Sequence, residues 1–132
     1  MVVEVIIRIV NVLIFLFLSG IHIYWAFGGR WGVEAVLPSK DGVKKLTPSP
    51  VGTLVVASGL AFFSGVSAIE LESYQWMYLV VGIVFGLRVI GDFRYVGLFR
   101  RVKDSVFAEK DTVIFIPLCV YLSLSNLFLY FY

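Results

Sequence analysis

The sequence predicts an all-α fold: a four-transmembrane-helix antiparallel bundle with a long capping loop between helices 1 and 2. Three observations carry that expectation. Of 132 residues, 60% are hydrophobic and 15% charged, and the mean hydropathy is +0.94, far from the balance of a water-soluble domain. Four apolar runs fall at about 5–27, 51–69, 74–96 and 112–131, each near the roughly 20 residues that a helix needs to cross a bilayer. Lys and Arg, finally, collect in alternate connections. A chain of this length is expected to form one integral membrane domain, residues 1–132.

The first run is broken only by Arg8, Asn11, Ser19 and His22. Glu4 beside Arg8, a long apolar part and the lack of a small-x-small site after it argue for a retained helix rather than a cleaved signal. Arg8 is placed to snorkel toward the near surface. Residues 28–49 form a long connection. Its β-prone runs Val33–Leu37 and Val43–Leu46 flank a Pro38–Gly42 turn cluster, which predicts a small surface hairpin.

The second run carries Ala57, Ala61, Gly65 and Ala68 at helical spacing, a small-residue stripe of the kind that lets helix backbones approach in lipid. A short acidic turn, Glu70 to Ser73, leads to the third run. There Gly82 and Gly86 make a Gly-x-x-x-Gly face, and Tyr74, Trp76 and Tyr78 suit an interfacial aromatic belt. The last run is expected to start at a cap on Asp111 or Thr112, to hold Pro117 in its first turns and to end on Tyr130-Phe131-Tyr132.

Arg30, Lys40, Lys44 and Lys45 follow the first run, and Arg94, Arg100, Arg101, Lys103 and Lys110 follow the third; the opposite side holds Arg8 alone. By the positive-inside rule, loops 28–49 and 97–111 are cytoplasmic and both termini lie outside a cell membrane crossed several times. A formal net charge of +2 gives no reason to expect nucleic acid as a partner. One cysteine, Cys119, and one histidine, His22, leave no material for a zinc box, a bis-histidine haem or an internal disulfide. Neither a metal nor a cofactor is expected. The lipid bilayer is the one certain partner, and the small-residue faces allow a homo-oligomer.

This topology brings His22, Tyr24 and Trp25, at the end of the first helix, to the same side as Arg88, Asp92, Arg94 and Tyr95, at the end of the third. Trp31 and Glu34 of the long loop are then placed to close over them. Arg88 and Asp92 are four apart, so a helix stacks them on one face with Tyr95 and Phe99. Charges within an apolar segment are expensive and persist where they pair or serve a function. Each residue also has a plainer role. Tyr24 and Trp25 suit interfacial anchors, Arg94, Arg100, Arg101 and Lys103 suit topological charges, Glu34 suits a solvated loop, and His22 suits a hydrogen-bonded structural group.

The stretches His22–Gly32 and Arg88–Phe99, with the closing Phe107-Ala108, Asp111 and Pro117-Leu118-Cys119, resemble the three signatures of domain-of-unknown-function family 3995. The resemblance spans nearly the whole chain. It implies a small four-helix prokaryotic membrane protein and brings no activity. Three functional readings follow. In one, the polar cluster binds or translocates a small anionic or amphipathic molecule, using Arg for carboxylate or phosphate. In another, the protein is a structural or accessory subunit whose cluster locks the bundle. In the third, it is a membrane-embedded enzyme with His22 as acid/base and Arg88 stabilising developing charge.

Overall fold

A computed structural model describes residues 1–33, 39–40, 43–44, 49–70, 72–91, 97–101 and 106–132. Helix α1 runs Val2–Ala26, α2 Pro50–Ala68 and α3 Trp76–Ile90. The last rod is continuous but changes pitch. It comprises α4 (Val106–Lys110), a π-helical turn (Asp111–Phe115) and α5 (Ile116–Phe131). Val2–Ala26, Pro50–Ala68 and Ala108–Phe131 are long and apolar enough to cross a membrane; Trp76–Ile90, at 15 residues, is shorter. The fold is all-α, as expected. Its other regular element is a two-residue ladder, Ser39–Lys40 against Val43–Lys44, within the long loop. The rest of the hairpin that the sequence suggests, at 34–38 and 45–46, lies outside the described residues.

Local chemistry sets the helix ends. Ser49 caps α2, its hydroxyl accepting from the Gly52 amide at 3.0 Å, with Pro50 in the first turn where no amide donor is needed. Helix α3 stops at Ile90 because Gly91 adopts φ 81°, a conformation that glycine reaches without strain. The expected stripe from Arg88 to Phe99 therefore does not continue as one helix; Phe99 lies beyond the break and is exposed. The last rod begins before the expected cap at Asp111 or Thr112, so Pro117 sits in its interior. Having no amide hydrogen, Pro117 cannot bond the carbonyl four residues back. The ladder opens there, and the Ile116 N–H reaches the Asp111 carbonyl five residues back.

The four helices associate mainly as two antiparallel hairpins. In the first, the Ser19 hydroxyl donates to the Ala57 carbonyl (2.8 Å), Ser64 to Val12 (3.2 Å) and Arg8 Nη1 to Ile69 (2.8 Å). In the second, Ser123 donates to the Gly82 carbonyl at 2.7 Å, and Gly82 and Gly86 face this helix, a Cβ on either meeting Leu127 or Ser123 within 3.2 Å. The Gly-x-x-x-Gly face thus packs within the chain. The small stripe of α2 does not. Ala57 is buried, whereas Ala61, Gly65 and Ala68 are exposed, and the face toward α1 is Thr53, Ala57, Leu60, Ser64 and Ser67. Small hydroxyls hydrogen-bond across the helices there, which a stripe of Gly and Ala cannot do.

The hairpins meet across a core of Phe15, Leu60, Val81, Phe85, Cys119 and Leu122. Phe15 lies 5.6 Å from Phe85 and 5.7 Å from Phe63, centroid to centroid, near edge-to-face contact. Cys119 is buried and free, as its apolar surroundings suggest. A second cluster joins Val66, Tyr78 and Leu129 nearer the chain termini. Tyr78 is not a belt residue: it is 1% exposed and donates to the Ile69 carbonyl at 2.7 Å, while Tyr74 and Trp76 are exposed. Arg8 lies with its guanidinium 5.6 Å over the Tyr78 ring, so a cation–π contact and the Ile69 carbonyl hold a charge expected to reach for the surface.

Candidate functional site

The end of the bundle where α1 and α3 finish carries two polar groupings. The first is built by α1 and the turn after it. His22 Nδ1 is 2.6 Å from the Leu18 carbonyl, and its ring stands edge-on to Trp25 at 5.1 Å. Trp25 Nε1 donates to the Trp31 carbonyl at 2.8 Å, and the Trp31 amide donates to the Tyr24 hydroxyl at 3.3 Å. Gly28 (φ 93°) permits the reversal that brings Trp31 back over the helix end. The Tyr24 ring lies where a Cβ on Gly29 would fall. Tyr24 and Trp31 stay largely exposed, as an aromatic lip requires.

The second grouping is an ion cluster around Asp111. This carboxylate is wholly buried. It accepts from Arg88 Nη2 at 2.7 Å on one oxygen, and from the Gly97 amide at 2.9 Å and Arg100 Nη1 at 3.3 Å on the other. Arg100, only 9% exposed, also donates to the carbonyls of Gly97 and Ala108, both at 2.8 Å, and to the Thr112 hydroxyl. Residues 97–98 fold back on the end of α3, where the Leu98 amide donates to the Val89 carbonyl at 2.8 Å. Gly97 (φ 88°) is required at this point, because a Cβ would lie 2.5 Å from the Ile90 carbonyl oxygen.

The partner of Arg88 among the described residues is therefore Asp111, from the last rod. The sequence reading treated Asp111 as a cap and Arg100 as a topological charge. The structure makes Asp111 the centre of the cluster and buries Arg100 against it. The signal for Asp111 lay in the family resemblance, whose third stretch includes it with Phe107 and Ala108. Arg100 had none, since a basic run reads alike whether one member turns inward or all face solvent. Of the expected site residues, Glu34, Asp92, Arg94 and Tyr95 lie outside the described residues. The structure brings His22, Tyr24, Trp25 and Trp31 together. It sets Arg88 in the other grouping, and no described hydrogen bond or ion pair joins His22 to Arg88. Both groupings flank one core, since Leu18 and Val89, beside His22 and Arg88, pack against it.

Among the described residues, one carboxylate stands between two guanidiniums, one positive charge more than negative. Arg88 Nη1 and Arg100 Nε are buried with no hydrogen-bond partner, and Arg88 keeps 31% of its side chain exposed. No group of three or more His, Cys, Asp or Glu side chains is positioned for a metal ion among the described residues.

Fold and site together define a small helical membrane protein with an internal arginine–aspartate–arginine cluster. The chain belongs to a family described as protein of unknown function (DUF3995), whose model matches residues 15–126. That span takes in both polar groupings. No curated protein and no solved structure matches the chain.

Proposed function

We propose that the protein binds a small anionic or amphipathic molecule at the Arg88–Asp111–Arg100 cluster, on the cytoplasmic side of a cell membrane. The observation that carries this reading is Arg88 Nη1, buried without an acceptor while part of the same side chain reaches the surface, with two arginines to one aspartate among the described residues. A guanidinium paired on one edge still presents further N–H groups, and planar recognition of carboxylate or phosphate is what arginine does better than lysine. Asp111 fixes Arg88 in place. His22, Tyr24, Trp25 and Trp31 supply an amphipathic lip at the same end, with Glu34, Asp92, Arg94 and Tyr95 placed by the sequence alone. The density of Lys and Arg in both connections at this end supports the cytoplasmic assignment.

A structural role is the second reading, favoured by the saturation of Asp111, which accepts three hydrogen bonds. Thermal unfolding in detergent separates the two. Phosphatidic acid, phosphatidylglycerol, phosphatidylcholine and free phosphate are added to wild type and to Arg88→Ala. Binding predicts that the anionic species raise the wild-type midpoint and leave the variant's unmoved. Equal shifts in both proteins refute it.

A further inference from the structure

Far from the ion cluster, beyond the Phe15–Phe63–Phe85 stack, lies a group of buried polar side chains that no function above uses. The chain has two asparagines, Asn11 and Asn126, and both are wholly buried. Ser67 is 1% exposed. Each has an unsatisfied atom: Asn11 Nδ2, Ser67 Oγ and Asn126 Oδ1. An unmade hydrogen bond in an apolar interior is costly, most of all where nothing nearby can bond. Three together, on three different helices, need a common explanation.

The contacts place them at one level. Ser125, next to Asn126, shares its hydroxyl proton between Asn11 Oδ1 at 3.1 Å and the Leu122 carbonyl at 3.2 Å. On α2, Ser67 falls between Ser64, which bonds the Val12 carbonyl, and Ile69, whose carbonyl receives Arg8. It therefore stands alongside the Arg8–Val12 turn of α1, which contains Asn11. Val66, beside Ser67, packs with Leu129, one turn from Asn126, and Ile7, one turn from Asn11, packs against the same cluster.

The missing bonds are complementary. The Leu122 carbonyl can only accept, and it takes a bond from Asn126 at 2.8 Å. The Asn126 amide nitrogen is thereby fixed there, and its oxygen must face the interior. Asn11 offers a donor and Ser67 a hydroxyl able to do either. A neutral molecule that both donates and accepts satisfies all three, and the smallest such molecule is water, which in protein interiors makes about three hydrogen bonds. We infer that Asn11, Ser67 and Asn126 form an internal water site between α1, α2 and α5, closed off from the ion cluster by the phenylalanine stack.

The sequence provides its own probes. Gln75 is the one glutamine, exposed at the start of α3, and Cys119 the one cysteine, inside the apolar core. Full-length protein labelled with 15N at Asn and Gln and 13C at Cys is reconstituted into proteoliposomes, and magnetisation transfer from water is followed by solid-state NMR. A water site predicts transfer to both Asn side-chain amides as rapid as to Gln75, with Cys119 dark over the same mixing times. Asn amides as slow as Cys119 overturn the inference, because the two then satisfy each other directly. Cys119 as fast as the asparagines also overturns it, because water then floods the whole bundle and no discrete site exists.

Discussion

Replacing Asp111 by Asn isolates the charge at the centre of the cluster with almost no change of shape. The carboxylate accepts from Arg88, Arg100 and the Gly97 amide. An amide in its place keeps one accepting oxygen and turns an NH2 group toward either a guanidinium or the Gly97 N–H, so at least one donor faces a donor. Removing one partner of a buried ion pair costs about 3–5 kcal/mol. Arg88, partly exposed, can swing toward the surface and recover some hydration, whereas Arg100, at 9% exposure, is anchored by two carbonyls and stays. The expected loss is therefore near the low end, about 3 kcal/mol. Arg88→Ala and Arg100→Ala each leave Asp111 with its other arginine, and about 1.5–3 kcal/mol follows for a lost hydrogen bond to a charged group. Equilibrium unfolding in mixed micelles with rising dodecyl sulfate, followed by far-ultraviolet circular dichroism, gives the order directly. An Asp111→Asn protein within about 1 kcal/mol of wild type would refute the reasoning, since a buried carboxylate serving two guanidiniums cannot be that dispensable.

The same assay checks three further expectations. Gly82→Ala drives a Cβ to 2.9 Å from Leu127 and 3.2 Å from the Ser123 carbonyl, while Gly65→Ala meets nothing within 4 Å; the first should destabilise and the second should stabilise by about 0.5–1 kcal/mol. Ser123→Ala removes a buried 2.7 Å bond to the Gly82 carbonyl and should cost about 0.6 kcal/mol, the average for hydrogen bonds between membrane helices. Pro117→Ala restores a helix donor worth about 3 kcal/mol in an ordinary helix interior, yet it should fail to stabilise, because closing the π-turn rotates Asp111 away from Arg88 and Arg100.

The helices were legible because their cause is local, long apolar runs; their ends were less so, since the third run reads on to 96 whereas the helix stops at Ile90. Convergence of His22 and Arg88 at one end was legible too, since successive spans alternate in direction and the first and third therefore finish on the same side. Side-chain partners were not. The small stripe on α2 and the hydroxyl face Thr53–Ser64–Ser67 share one helix, and spacing alone gives no reason to choose the face that hydrogen-bonds to α1. Tyr78 read as a belt residue because aromatics flanked it, although its place, one turn inside α3, is what buries it against Ile69 and Arg8.

Arg88 shows what spacing leaves out. Four-residue spacing nominates Asp92, which lies outside the described residues, and it carries no sign of Asp111, 23 positions away. Helix α3 ends at Gly91. Beyond the break, Gly97 folds the chain under α3 so that its amide and Arg100 meet Asp111, and the π-turn set by Pro117 turns Asp111 to receive them. Three residues that carry no charge, Gly91, Gly97 and Pro117, thus decide which charges pair. In an apolar chain with few ionisable groups, the backbone breaks are the better guide to the partners, because an ion pair in lipid needs convergence from separate helices and only a break or a change of pitch supplies the angle.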